Sequence, residues 1–405
     1  MLYPPSKISI LTASTLFPNS VQPSHGIFVE TRLRRLVADG KVTARVLAPV
    51  PWAPPGLPGT EMKKLRAIPD FEQRNGLDVD HPRYVVIPKL GMNLTPHTLY
   101  RAMRRRLRQM LDAGLKVDLI DAHYFYPDGV AAVWLGAEFN LPVVITARGT
   151  DINLIPDYPR PRRLILDAAQ KAAALITVCQ ALKERLVELG APASKITVLR
   201  NGVDLEKFHI KDRDALRSKF GVSGLVLASV GLLIERKGHH LVIEALKQVP
   251  DATLLLAGSG PDRPILEELA ARLGVQDRVR FLGSVDQKSL CDVYNCADIS
   301  ILASSREGWA NVLLESMACG TPVLGSAVWG TPEVISAPQA GLLLKNRDAE
   351  SIVLGIQQLR KAMPERAATR RYAEQFDWQS TTDGQVAIFR SILKQNNASA
   401  NCVQT

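Results

Sequence analysis

Two glutamates, Glu307 and Glu315, share the stretch Ser304-Ser305-Arg306-Glu307-Gly308-Trp309-Ala310-Asn311-Val312-Leu313-Leu314-Glu315. Paired carboxylates hydrolyse a glycosidic bond when they stand ~5–9.5 Å apart across it. Eight residues of helix span roughly 12 Å, so this pair fits that chemistry poorly. Two carboxylates lying along an extended ligand, each accepting hydrogen bonds from hydroxyls, fit better. For either Glu alone, the competing reading is a solvated helix charge. The pattern reads as a buried strand ending at Ser304, a Glu-Gly loop, and a helix from about residue 310 to 320. Glu307 then lies at the C-terminal edge of a strand, where open α/β sheets bind ligands. The free N–H groups of Asn311, Val312 and Leu313 form a helix N-terminus, which favours an anion.

Other residues carry weaker signals. Arg236-Lys237 is a pair of cations, or a basic turn opening a helix. Gly258-Ser259-Gly260-Pro261-Asp262-Arg263 follows a strand, but Arg263 stands where a third glycine would complete a dinucleotide fingerprint. His123 ends a strand in Asp121-Ala122-His123, at a ligand edge or as a structural hydrogen-bonder. Asp151 is an acid to watch or a helix N-cap. Asp78-Val79-Asp80 and Asp212-Arg213-Asp214 read as solvated charges rather than metal ligands. The five cysteines include no CxxC pair and are expected to be reduced thiols, mostly packing residues.

These residues need a frame. Short, β-branched-rich runs, apolar on both faces, alternate with helical stretches through both halves of the 405 residues. Runs near 7–12, 43–48, 119–123, 143–147, 175–178 and 196–199 are followed, after a break, by 226–230, 253–257, 279–282, 299–303, 322–325 and 342–344. This rhythm implies two doubly wound α/β domains with buried parallel strands. The boundary is expected near Arg200-Asn201-Gly202-Val203-Asp204: residues 1–200, then 201–377, then a last helix over 378–395 and a frayed tail at 396–405. The Pro-rich stretch 49–59 is expected to be an irregular loop.

Glu307, Gly308, Asn311 and Glu315, with Met317-Ala318, Gly320 and Pro322, closely resemble the donor-site signature of glycosyltransferase family 4. The resemblance extends to Gly330-Thr331-Pro332-Glu333, to Asn201-Gly202-Val203-Asp204, and to Gly231-Leu232-Leu233-Ile234-Glu235-Arg236-Lys237-Gly238. It implies the GT-B fold: two Rossmann-like domains facing a central cleft, acceptor side first, with the C-terminal helix crossing back to the N-terminal domain. It also implies a retaining transferase that moves a sugar from a nucleotide diphosphate sugar and makes α-linkages, with no cofactor and no metal. Glu315 would then bind the ribose hydroxyls. Glu307, with the backbone at Gly308, Asn311, Val312 and Leu313, would hold the sugar and adjacent phosphate. Lys237 would neutralise the diphosphate, with Arg236 supplying the charge that Leu232 lacks where the family often has arginine. Gly260 would pass close to the nucleotide, and the base would stack near Ser284 and Val285. In the N-terminal half, His25 and Gly26 match the family's first loop. His123 and Asp151 are the candidate catalytic groups there, and Arg148 replaces the family's usual histidine. Arginine cannot accept a proton, so Arg148 is left with a charge or positioning role.

Charge narrows the partners. The chain carries a net +10, all of it within residues 1–200. Arg101, Arg104, Arg105 and Arg108 face away from an apolar helix stripe and suggest an anionic membrane surface. No nucleic-acid motif accompanies them. A lipid-linked or saccharide acceptor is expected, for an enzyme that is cytoplasmic or held at the inner face of the membrane. The competing classes are a non-catalytic sugar-nucleotide-binding protein and an epimerase of the same fold.

Overall fold

The computed structural model describes residues 7–56, 58–87 and 91–402, with side chains described to residue 396. The chain splits into two compact units, Met1–Leu199 with Gln379–Thr405, and Arg200–Trp378.

The first unit contains β1 (Ile8–Ala13), β2 (Val42–Leu47), β3 (Val50–Pro51), β4 (Phe71–Arg74) and β5 (Leu77–Asp80). It continues with β6 (Arg83–Tyr84), β7 (Leu119–His123), β8 (Val143–Ala147), β9 (Ala174–Thr177) and β10 (Ile196–Val198). Eight of these form a sheet in the order β10-β9-β8-β7-β1-β2-β5-β4, parallel except at β4. Every residue of β7 and β8 is buried, as in central parallel strands, although β7 buries Asp121 and His123 among its apolar residues. The order reverses at β1, which pairs with β2 on one side and β7 on the other. A ligand crevice therefore belongs at the C-terminal ends of β1 and β7.

The polar edge of this sheet differs from expectation. Residues 49–59 are not wholly irregular, because β3 pairs with β6 as a separate two-stranded ribbon. β4 and β5 form a hairpin through Asn75 and Gly76, both at positive φ, the backbone that an Asn-Gly turn provides. Nor are the Asp-x-Asp strings simply solvated. Asp80 is fully buried, 2.7 Å from Arg45 Nη2 and 2.5 Å from Arg106 Nη2. Asp212 caps the Arg213–Phe220 helix by accepting from the Asp214 and Ala215 amides.

The last helix runs Trp378–Cys402, so its backbone is ordered helix past residue 396 rather than frayed; residues 403–405 lie outside the described residues. Val386, Phe389 and Ile392 join Ile10, Leu33, Val46 and Leu119 in the first unit's core.

The second unit contains β11 (Leu225–Val230), β12 (Ala252–Ala257), β13 (Val279–Gly283), β14 (Ile299–Leu302), β15 (Val323–Ser326) and β16 (Gly341–Leu344). They form one parallel sheet in the order β13-β12-β11-β14-β15-β16. Here the order reverses at β11, placing the crevice at the C-terminal ends of β11 and β14. The core packs Leu227, Leu254, Ile301 and Leu324 against helix residues such as Val242, Ile352 and Ile356. Cys179, Cys291, Cys296 and Cys319 are buried free thiols. Among the described residues, no helix is long and apolar enough to cross a membrane.

Candidate active site

The reversal point of the second sheet brings together the loop after β11 and the loop after β14. Lys237 ends a short turn, Glu235–Lys237, and its Nζ lies 2.5 Å from Glu307 Oε1. Ser304 Oγ donates to the same oxygen at 2.7 Å. The two loops are also stitched through their backbones. The Ser305 amide donates to the Arg236 carbonyl at 2.8 Å, and Arg236 Nη1 donates to the Arg306 carbonyl at 2.7 Å. Arg236 therefore braces the Glu307 loop with one arm of its guanidinium, a use that differs from the expected second phosphate cation.

Two further residues hold this crevice in shape. His239 is 1% exposed. Its Nε2–H donates to the Leu232 carbonyl at 3.1 Å, and Nδ1 lies 2.8 Å from Ser229 Oγ. Burial pushes its imidazole down to about 4, so the ring is neutral and serves as a staple for the loop. Gly258 sits at φ 151°, where an added Cβ would stand 1.8 Å from the Gly231 carbonyl oxygen. Gly260 is also close to Leu233, with 2.3 Å from an added Cβ to its carbonyl oxygen. The glycines of this turn thus let two backbone loops touch each other. Beyond β13, Ser284 is exposed and Val285 half-buried. The Gly258 amide ties the neighbouring turn to the Gly283 carbonyl at 2.8 Å.

The helix after the Glu307 loop spans Asn311–Ala318 and has no side-chain cap. Its N-terminus is less open than expected. The Asn311 amide donates to Trp309 O and the Leu313 amide to Ala310 O, each at 3.0 Å. Gly308 is buried and Val312 half-buried in the same turn. Asn201 Nδ2 meets Asn311 Oδ1 at 3.3 Å. Glu315, on this helix, accepts from Tyr294 Oη at 3.2 Å and does not join the Lys237–Glu307 pair in any hydrogen bond. As a residue it is half-buried, but its carboxyl lies deep enough that burial pushes it up to about 7, against the Tyr294 hydrogen bond.

The reversal point of the first sheet holds the other candidates. Gly26 N-caps the Ile27–Ala38 helix at φ 64°, and an added Cβ would stand 2.3 Å from the Leu16 carbonyl. His25 is exposed and its Nε2 lies 3.0 Å from the Thr15 carbonyl. Thr15 in turn donates through Oγ1 to Asp128 Oδ2 at 3.0 Å and through its amide to Oδ1 at 2.5 Å. Burial pushes Asp128 up to about 7.

His123 and Asp151 are not the open catalytic groups expected. His123 is 1% exposed, with Nε2 3.1 Å from Asp121 Oδ2 and Nδ1 2.5 Å from Arg148 Nη2. Burial first, with the cations Arg148 and Arg32, lowers it to about 4 despite Asp121. Asp151 is fully buried. It accepts from the amides of Phe125 and Gly149, each at 2.7 Å, and of Arg148 at 3.1 Å. It is not the N-cap of the Thr150–Asn153 turn, since Gly149 holds that position. Arg148 keeps 8% of its surface exposed and stacks over the Phe28 ring at 5.4 Å. On the Gly91–Asp112 helix, Arg104 and Arg108 are both bound to Glu138 at 2.7 Å. That leaves Arg101 and Arg105 as the exposed arginines of that face with no carboxylate against them among the described residues.

Family models match both units. "Glycosyltransferase Family 4" covers residues 50–207 and "Glycosyl transferases group 1" covers residues 212–376. The putative teichuronic acid biosynthesis glycosyltransferase TuaC of Bacillus subtilis (strain 168) is 27% identical over 86% of this chain and 88% of its own length. The D-inositol 3-phosphate glycosyltransferase of Jonesia denitrificans is 32% identical over 67% of this chain and 71% of its own. Among solved structures, Anabaena HepE in complex with UDP superposes with a TM-score of 0.73 at 21% identity, over 95% of this chain and 100% of that one. The sheet orders, the two family matches and these relatives agree: the chain belongs to glycosyltransferase family 4 and is a glycosyltransferase of the GT-B fold.

Proposed function

We propose that the protein transfers a sugar from a nucleotide diphosphate sugar to an acceptor hydroxyl, retaining anomeric configuration and forming an α-linkage, with the donor held by the second unit. The contact that carries this reading is Lys237 Nζ against Glu307 Oε1, at the reversal point of the second sheet and one loop before a helix N-terminus. A compact ammonium there stabilises the negative charge that grows on a departing diphosphate. It would serve in place of a metal ion. Glu307 would be released toward the sugar hydroxyls as phosphate takes over the ammonium, and Glu315 would accept from the ribose. Structural neighbours solved in complex with UDP and UDP-glucose support a uridine diphosphate sugar as the first donor to try.

The proposed step balances without an enzymic nucleophile. The acceptor hydroxyl attacks the anomeric carbon from the face that the diphosphate leaves. The carbon–oxygen bond to phosphate breaks, the new one forms, and the hydroxyl proton passes to the departing phosphate oxygen. Asp151, filled by backbone amides, is unsuited to covalent attack. Relatives named for teichuronic acid and D-inositol 3-phosphate support an anionic, hydroxyl-rich acceptor, free or lipid-linked, used in cell-surface polysaccharide assembly at the inner membrane face.

The test is turnover on a panel of UDP-, GDP- and ADP-sugars with saccharide and lipid-linked acceptors. Lys237→Ala is expected to lower kcat by roughly 10²–10³-fold, the scale of losing one preorganised charge-stabilising group. Glu307→Gln should cost a comparable amount. Near-normal rates in both variants would reject this assignment.

A further inference from the structure

We propose that Asp121, clamped by Gln385 and Arg32, is a positioning residue of the transfer reaction: it fixes His123 as the Nε2–H tautomer and through that ring holds the Arg148 guanidinium at the C-terminal edge of the first sheet. The proposal rests on the transferase reading above and adds residues to it that no sequence motif singles out.

Four hydrogen bonds make the chain of contacts. Arg32 Nε donates to Gln385 Oε1 at 2.9 Å. Gln385 Nε2 donates to Asp121 Oδ2 at 3.0 Å. The same carboxylate oxygen lies 3.1 Å from His123 Nε2. Arg148 Nη2 stands 2.5 Å from His123 Nδ1. Arg32, Asp121, His123 and Gln385 are each at most 2% exposed.

The chemistry of the donors leaves one consistent proton arrangement. A guanidinium only donates, so Arg32 forces Gln385 to present its oxygen there and its NH₂ to Asp121. An ionised carboxylate only accepts, so His123 must carry its proton on Nε2. Nδ1 is then a lone pair, which is what the second guanidinium requires. The Nδ1–H tautomer, or a doubly protonated ring, would set a donor against Arg148. Burial pushes Asp121 up, but His123, Arg32 and Arg148 together hold it below the usual carboxylate range, so the acceptor end of the chain stays ionised.

A purely structural role explains this less well. Buried charges are replaceable by apolar residues with little loss or a gain in stability. Here several are kept, at the point where the strand order reverses. Only the last of them, Arg148, reaches that edge with part of its surface exposed. An arginine whose second partner is a tautomer-locked ring is a fixed cation, preorganised before any ligand arrives. The C-terminal helix supplies Gln385, so it takes part in setting that cation.

The test uses the whole chain and three single variants: Asp121→Ala, Gln385→Glu and Asp121→Asn. Alanine removes the acceptor for His123 Nε2–H. Glutamate at position 385 sets a second carboxylate against Asp121. Asparagine keeps an amide oxygen at the Oδ2 position, where Gln385 and His123 both donate, and so preserves the donor–acceptor order. Asp121→Ala and Gln385→Glu are each expected to lose at least ~10-fold in kcat with the donor KM held within about twofold, because an orienting group acts on turnover. Asp121→Asn should stay within about threefold of wild type. Wild-type rates in Asp121→Ala and Gln385→Glu, or an Asp121→Asn no faster than Asp121→Ala, overturn the proposal.

Should the singles fold poorly, ¹⁵N NMR of the wild-type histidines reads the tautomer directly. His123 is expected to be neutral with Nε2 protonated across about pH 6–8; an Nδ1–H or imidazolium signal overturns the proposal. A wild-type protein inactive on every donor would instead sink the transferase reading and the kinetic half of this one, with the tautomer still decided by NMR.

Discussion

Burial pushes the Glu315 carboxyl up to about 7 against the hydrogen bond from Tyr294. Near neutrality it is therefore divided between an acceptor-only form and a protonated form with a donor of its own. The folded-state value exceeds the ordinary 4.5, so between these two values the folded chain binds more protons than the unfolded one. The linked stability is present below about pH 4.5 and lost as pH rises through about 7. Ribose hydroxyls pull the other way, because they bind the ionised form. The diphosphate diester of a sugar nucleotide does not titrate in this range. Its affinity, measured by calorimetry, should rise several-fold between about pH 6 and 8 in the wild type. Glu315→Gln should bind more weakly and with no such slope, and should lose less stability across the same interval. A variant with the wild-type slope would assign the titration to another group.

At the scale of elements, the Trp378–Cys402 helix belongs to the first unit's core through Val386, Phe389 and Ile392. Phe389 is fully buried. Phe389→Ala should destabilise that unit by about 3–5 kcal/mol through lost burial and a cavity. Chemical denaturation should show the unit's transition moving to lower denaturant while the second unit keeps its nucleotide affinity. A shift common to both transitions would mean that the units do not unfold separately.

The central strands of both sheets were readable because each is buried on both faces and is apolar at most positions. β4 and β5 escaped for the opposite reason. They lie at an edge, where Glu72, Gln73, Arg74, Asp78 and Asp80 interrupt the apolar pattern, although Asn75-Gly76 between them is a hairpin signal. The Lys237–Glu307 meeting, across 70 residues, was expected from the family resemblance of their two motifs rather than from local spacing. The link from Gln385 to Asp121 spans 264 residues, and no local pattern announces such a bond. His239 was not singled out although its partners Leu232 and Ser229 lie only 7 and 10 residues away, because its role depends on a loop carbonyl turned toward it by the fold.

For the whole molecule, charge is divided unequally: residues 1–200 carry the entire net +10 and the rest balances. Much of the excess is spent internally, since Arg104 and Arg108 grip Glu138 and Arg45 and Arg106 grip Asp80. Arg101 and Arg105 remain outward on the Gly91–Asp112 helix. On the same helix, Thr98 Oγ1 donates to the Val85 carbonyl at 2.7 Å. That bond brings an exposed apolar segment, Val85, Val86 and Ile87, alongside the turn that precedes Arg101. Basic heads beside exposed apolar side chains would suit contact with anionic lipid, which gives a testable expectation. Each arginine near such a surface contributes about 1 kcal/mol, so Arg101→Ala with Arg105→Ala should weaken partitioning by roughly 30-fold. Sedimentation with phosphatidylglycerol-containing vesicles reads this directly, and added salt should weaken wild-type binding as the surface potential is screened. Turnover on a water-soluble acceptor should be unchanged in the same variant, which separates lipid attraction from catalysis. Equal binding to uncharged vesicles, or no loss in the double variant, would remove the membrane from the account and leave a soluble acceptor as the partner of the basic half.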